Sequence, residues 1–392
     1  MRAILPALRR EGATGPGTPR VARVALLLPE RERFTPDGAG AVALAVRDLA
    51  LAAPTGSELV VFGRDPQGPL LGGTFRKIDP GRFAPRLLGG RRAYARAARN
   101  ALRAYAPDLV QVHNRPLLAL ALAEALAPTP IVLALHNLAE TMRGTRTVAE
   151  RMALERRLDA IVCNSYHVRD RFLDGLDQQS ATRVLTIQRG LALSGLPEPA
   201  PPGERQCEIL FVGRLSPDKG ADTFVQAAGL ALPRLPGWSA RMIGPTWYRE
   251  KHRDSDFAAR LRPAAAAAGI TMTGFLENDA VLHAMARAAI IVVPSRWIEP
   301  FARVVLEALA CGAALIASPR GGIPEAAGDA ALYAEPDDPA ALADAMCRVA
   351  LDDRFRADLQ VRALVQAARF DIAETATRWA DLRARLLAGR VV

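Results

Sequence analysis

Two apolar patterns alternate along the chain. Short, nearly continuous runs rich in Val, Ile and Leu recur at 21–29, 58–62, 108–113, 131–135, 160–164 and 183–187. They return at 208–212, 240–243, 270–273, 290–293 and 314–317. Runs of this kind predict strands covered on both faces. Amphipathic stretches lie between them, among them 42–51, 91–105, 117–127, 221–231 and 372–387, and these predict helices. Ser165 is a candidate cap for a helix running through Phe172. Strand–helix alternation of this rhythm predicts an α/β protein built on doubly wound parallel sheets. The rhythm breaks once, between Gly195 and Gly203, where Pro197, Pro199, Pro201 and Pro202 make a short stiff linker. The expected organisation is a loose leader over 1–20, a first domain over 21–195, a linker over 196–205 and a second domain over 206–371. A C-terminal helix within 372–392 then returns to brace the first domain. Two such domains facing one another make a cleft.

Charge sharpens this picture. The net charge of +10 sits wholly in the first 200 residues, which carry 28 Lys and Arg against 18 Asp and Glu; the remainder carries 23 of each. A one-sided basic half suggests an anionic partner: membrane lipid, nucleic acid or a phosphorylated substrate. Arg92, Arg96, Arg99 and Arg103 fall on one helix face, which is either a solvated surface or a surface that docks on anionic lipid. The four cysteines are scattered, with no zinc spacing and no disulfide framework, and suit a reducing cytosol. The apolar run in the first ten residues is too short for a signal peptide, and no uncharged stretch is long enough to cross a bilayer.

The candidate chemistry clusters at the carboxyl ends of predicted strands, where open α/β sheets bind ligands. The stretch from Val293 to Glu307 reads as strand, turn and helix. Pro300 suits a helix start and holds Glu299 extended at its mouth, so the N–H groups of Phe301, Ala302 and Arg303 would point into the cleft. Glu307 lies in an apolar helix, where a carboxylate needs partners such as sugar or ribose hydroxyls. Arg214 and Lys219 follow the first strand of the second domain. They are either solvated loop cations or a fork and a point charge placed for a diphosphate. His136 ends a first-domain strand; it is either structural, or bonds a substrate hydroxyl, or acts near the reacting carbon. The loop Asp37-Gly38-Ala39-Gly40 between the first strand and helix is a weak phosphate-binding signal. Asp254-Ser255-Asp256 reads as a surface helix cap rather than a metal site.

With these residues in view, the chain resembles the retaining GT-B-fold glycosyltransferases that carry the E-x7-E signature, of the family 4 or "glycosyl transferases group 1" kind. Glu299-Pro300-Phe301-Ala302-Arg303-Val304-Val305-Leu306-Glu307 looks like the signature, and Phe211-Val212-Gly213-Arg214-Leu215 through Lys219-Gly220 looks like the phosphate loop. Gly274-Phe275, Pro294-Ser295 and Gly321-Gly322-Ile323-Pro324-Glu325 follow in the family's order. The resemblance is strong over 206–345 and weaker over 21–195. It implies a GT-B fold, with two Rossmann-like domains about a central cleft. It implies that Glu299 contacts the donor sugar, Glu307 the nucleotide ribose, Arg214 and Lys219 the diphosphate, and His136 the region of the donor sugar. Gly38 and Gly40 form the first-domain loop, and backbone groups near Gly244 and Phe275 recognise the base. Three positions depart from the pattern: Ala302 replaces a common glycine, Arg189-Gly190 replaces Asn-Gly, and the first-domain loop lacks adjacent glycines.

The expected activity is hexose transfer from a UDP- or GDP-sugar to a glycan or lipid-linked acceptor, in lipopolysaccharide, exopolysaccharide or other cell-envelope synthesis. Neither a cofactor nor a metal is expected, and no nucleic-acid partner. The expected location is cytoplasmic, at the inner face of the membrane. A GT-B nucleotide-sugar epimerase and a non-catalytic GT-B subunit are the alternatives.

Overall fold

A computed structural model describes residues 21–36, 39–64, 68–81, 89–177, 182–246 and 255–389. Among them, two parallel sheets carry the fold. The first contains β1 (Ala22–Leu27), β2 (Ser57–Arg64), β3 (Thr74–Ile78), β4 (Leu109–His113), β5 (Ile131–Leu135), β6 (Ala160–Cys163) and β7 (Val184–Thr186), in the order β3-β2-β1-β4-β5-β6-β7. The second contains β8 (Gln206–Val212), β9 (Ser239–Ile243), β10 (Ile270–Gly274), β11 (Ala288–Val293), β12 (Ala314–Ala317) and β13 (Ala331–Tyr333), in the order β10-β9-β8-β11-β12-β13. Central strands such as β5, β11 and β12 are buried at every residue, which is why they read as unbroken apolar runs. Each sheet is covered on both faces by helices, giving two apolar layers per domain.

The strand order reverses between β1 and β4 and again between β8 and β11. At such switch points the loops leave a sheet in opposite directions and open a crevice. The two crevices face one another, and Ala41 from the first meets the segments 214–219 and 299–303 from the second around a shared cavity.

The final helix, Ile372–Leu387, lies against the first sheet. Trp379, Leu382 and Leu386 join Val24, Leu26 and Leu109 in one apolar layer. An isolated bridge between Leu191 and Asp371 brings its start alongside the end of the first domain.

Three elements escape the sequence pattern. Strand β3 is an exposed edge with the sequence TFRKI, and only Ile78 is fully buried, so no apolar run marks it. Strand β13 is only three residues long. The helix Val148–Arg157 is half charged, although a capping box between Thr147 and Glu150 marks its start.

One local expectation fails. The helix after β11 runs from Arg303 to Ala310, three residues later than Pro300. The reason is hydrogen bonding. The Glu299 carbonyl accepts from Gly322 N (2.7 Å), and the Pro300 carbonyl accepts from Ser165 Oγ (2.7 Å). Carbonyls committed to other loops are unavailable for a first helical turn.

Candidate active site

The meeting crevices enclose a cavity of about 790 Å³, lined from the first domain by Ala41, His136, Asn164 and Arg189 and from the second by Arg214, Lys219, Glu299 and residues 300–303. A side chamber of about 300 Å³ continues past Lys219 and Glu299 to Gly213, Val304 and Glu307. Arg214, Lys219, Glu299 and His136 are thus brought together on one cavity.

Glycines set the spacing of the second-domain loops. Gly220 has φ +68°, and a Cβ there would lie 1.9 Å from the Pro294 carbonyl oxygen. The loop bearing Arg214 and Lys219 is thereby pressed onto the end of β11. Gly321, with φ +60°, packs as closely on Glu299: a Cβ would lie 2.3 Å from its carbonyl oxygen. Only glycine tolerates both the conformation and the approach.

Each candidate cation is held by a carboxylate. Lys219 Nζ pairs with Glu299 Oε1, which also accepts from Ser295 Oγ (3.0 Å). Arg214 Nη2 pairs with Asp218 Oδ2 (2.7 Å), and its Nε donates to Ser216 Oγ (3.2 Å). Burial alone would push the Asp218 carboxyl up, but the bonds from Ser216 and Arg214 outweigh it and hold the carboxyl below its ordinary value. These pairs fix two cations over the cavity before any ligand arrives.

Glu307 is buried and accepts from Arg303 Nε (2.7 Å) at Oε1. Arg303 Nη1 reaches across the cleft to Asp48 Oδ2 (2.9 Å) on the first helix of the other domain, Ala41–Leu51. Burial opposes the charge on Arg303, but Glu307 and Asp48 raise its pKa above the ordinary arginine value. Phe301 lines the cavity while its ring meets Phe370 edge-on (centroids 5.4 Å apart), and Ala302 is buried beside it. The N–H groups of Arg303 and Val304, first in their helix, have no intrahelical acceptor.

The first-domain loop behaves differently from a bare phosphate cradle. Gly40 precedes the helix, but Glu32 Oε1 accepts from Ala43 N (3.1 Å) and lies 2.4 Å from where a Gly40 Cβ would sit. Burial raises the pKa of Glu32, against the pull of the Ala43 and Gly40 N–H groups. Gly38 lies outside the described residues. Gly244 and Phe275 do not line either cavity. The Gly244 N–H is spent on the Gly274 carbonyl (2.9 Å), and the Phe275 ring is exposed.

Sequence reasoning did not single out Arg189, Asn164, His113 or Asp48 as site residues. Arg189 is buried, donates to the Ala41 carbonyl (2.7 Å), and has its pKa pulled down to about 9 by burial and by Arg303. Its place after a first-domain strand was a usable signal. Asp48 gave none, because its partner lies 255 residues away. Ser165 does cap its helix through Val168 N (3.0 Å). Glu325, from the Gly-Gly-Ile-Pro-Glu stretch, accepts from the N–H groups of Tyr166 (2.9 Å) and His167 (3.1 Å), a further link between the domains.

Known proteins with this architecture and sequence decide the family. Glycosyl transferases group 1 matches residues 206–352, and Glycosyltransferase Family 4 matches residues 38–194. The glycogen synthase of Mycobacterium tuberculosis is 30% identical over 302 residues, covering 71% of this chain and 69% of that one. The chain belongs to the group 1 and family 4 glycosyltransferases. For two further relatives the match spans only 60% and 38% of their length. The second is the D-inositol 3-phosphate glycosyltransferase of Acidothermus cellulolyticus, 35% identical over 175 residues, or 42% of this chain. Among solved structures, Anabaena HepE in complex with UDP-glucose superposes with a TM-score of 0.72 at 18% identity, covering 92% of this glycosyltransferase-family chain and 99% of HepE. That likeness establishes the shared two-domain fold, as the sequence led one to expect.

Proposed function

We propose that the protein is a retaining, metal-independent hexosyltransferase that uses a UDP- or GDP-sugar and delivers the sugar to a glycan or lipid-linked acceptor of the cell envelope. The observation that carries this reading is the pairing of Lys219 with Glu299 beside Arg214 on one cavity wall. A donor diphosphate would exchange places with the two carboxylates. Arg214 and Lys219 then face the phosphates, and Glu299, released from Lys219, accepts from sugar hydroxyls.

Transfer breaks the bond between the anomeric carbon and the phosphate oxygen and forms one to the acceptor oxygen on the same face. The acceptor proton passes to the departing phosphate. Negative charge grows on the diphosphate, where the two cations and the free N–H groups of Arg303 and Val304 would face it, a kind of stabilisation worth roughly 3–4 kcal/mol per donor. Glu307 retains one carboxylate oxygen beyond its bond to Arg303 for the ribose.

The envelope setting rests on the basic first domain. Arg92, Arg96 and Arg103 are exposed on the helix Gly90–Tyr105, and they would face anionic lipid at the inner membrane surface. Among the described residues no helix is long and apolar enough to cross a membrane.

The test is a melting panel of nucleoside diphosphates and nucleotide sugars, followed by turnover with the best binder. A ligand that binds only the native state raises the melting temperature. Glu307→Ala and Lys219→Ala are each expected to abolish turnover in folded protein; full retained turnover in either sinks the assignment. Incubation with donor alone separates transfer from epimerisation.

A further inference from the structure

Gln111 is a polar residue at the centre of a parallel sheet and is fully buried. Burying an amide is costly unless its groups are bonded. Leu109, Gln111 and His113 alternate along β4 and so project to one face, the face covered by the C-terminal helix. There Arg383, almost wholly buried and lying over the Trp379 ring (5.6 Å), donates from Nη2 to Gln111 Oε1 (3.1 Å). Gln111 Nε2 meets His113 Nε2 (3.3 Å), and His113 Nδ1 meets His136 Nε2 (2.9 Å). His136 lines the cavity, and its Nδ1 is buried with no protein partner.

Donor and acceptor roles along this row follow from its first member. Arginine has donors only, so the Gln111 oxygen must face it and the Gln111 NH2 must face His113. His113 Nε2 therefore accepts, which puts the His113 proton on Nδ1. That proton is given to His136 Nε2, which leaves the His136 proton on Nδ1. We infer that Arg383, Gln111 and His113 are positioning residues that lock His136 as an Nδ1–H donor, offered to an oxygen of the bound ligand and unable to serve as a general base. Burial points the same way. The His113 pKa falls to about 3, through burial and then Arg383, and that of His136 falls well below its ordinary value through burial, His113 and Arg189. A second proton on His136 would have to enter at Nε2, against the His113 N–H already there. The functional consequence rests on the cavity being the nucleotide-sugar site; the tautomer itself does not.

Long-range proton–nitrogen correlation on histidine-labelled full-length protein reads the tautomer directly. His113→Asn and His136→Asn variants assign the signals among the five histidines. Both rings are expected as Nδ1–H, with no titration between about pH 5 and pH 8. An Nε2–H form of His136, or protonation near its ordinary value, overturns the inference. Gln111→Glu gives a directional check: its carboxylate only accepts, so it reverses the row and moves the His136 proton to Nε2. An unchanged His136 signal means that Gln111 does not set it.

With turnover in hand, His136→Asn keeps an N–H near the Nδ1 position and His136→Asp does not. The Asn variant is expected to exceed the Asp variant in kcat/KM by at least about tenfold; equal or reversed ranking refutes the donor role. Absence of turnover in the unaltered protein would count against the proposed function and leave the tautomer result standing.

Discussion

The Arg303–Asp48 pair gives the sharpest energetic prediction. It joins the two domains across the cleft floor, with side chains only 10% and 1% exposed. With charge centres about 4 Å apart and an effective dielectric near 20, the attraction is about 4 kcal/mol. Asp48→Asn removes the charge but keeps shape and an acceptor oxygen. Arg303 retains Glu307 as a partner, while Arg189 nearby loses the Asp48 charge that favours its charged form. Breaking one side of a buried pair costs about 3–5 kcal/mol, and the retained partner puts this variant near about 3.

Equilibrium denaturation of Asp48→Asn, Arg303→Met and the double variant measures the term directly. The single changes should not add, and the coupling should reach at least about 1.5 kcal/mol. It should change little with salt, because a buried pair is poorly screened. Single variants within about 0.5 kcal/mol of the parent, with no coupling, would refute the view that this pair holds the domains together.

Three further outcomes are expected. Gly321→Ala adds a left-handed alanine, at about 1–2 kcal/mol, and drives Glu299 from its place; donor turnover should fall more than the melting temperature does, and unchanged turnover would mean that Glu299 needs no such placement. Acid should destabilise the fold through His113 and His136. Both stay neutral when folded but protonate when unfolded below their ordinary value, so stability is full above about pH 6.5 and falls by up to about 1.4 kcal/mol per pH unit for each as pH drops below it. For His113 the loss continues down to its folded value of about 3; a His113→Asn protein with the same acid profile as the parent would contradict this. Replacing Arg92, Arg96, Arg99 and Arg103 with Ser should weaken salt-sensitive binding to vesicles rich in anionic lipid, and equal binding would dispose of the membrane face.

The cation pair and Glu299 were legible because they lie within a few residues of strand ends, where position in the α/β rhythm is itself the signal, and Glu307 because a carboxylate stands out in an apolar helix. Arg214 and Lys219 follow β8, and Glu299 follows β11. Gly321 was legible as part of a motif. Its reason, a carbonyl 2.3 Å from an absent Cβ, belongs to a contact between two loops.

Local sequence by itself determined the strand–helix alternation and the parallel sheets, because burial on both faces forces apolar runs and glycine and proline mark the turns between them; the family was legible in the motifs at 211–220 and 299–307. Tertiary structure alone decided how the charges are spent. Asp48 finds Arg303 across the cleft, Glu32 takes the N–H of Ala43, and Arg383 on the last helix reaches Gln111 in the first sheet, 272 residues away. Partners that far apart leave no periodicity to read, and the proton on His136 is fixed by the last of these contacts.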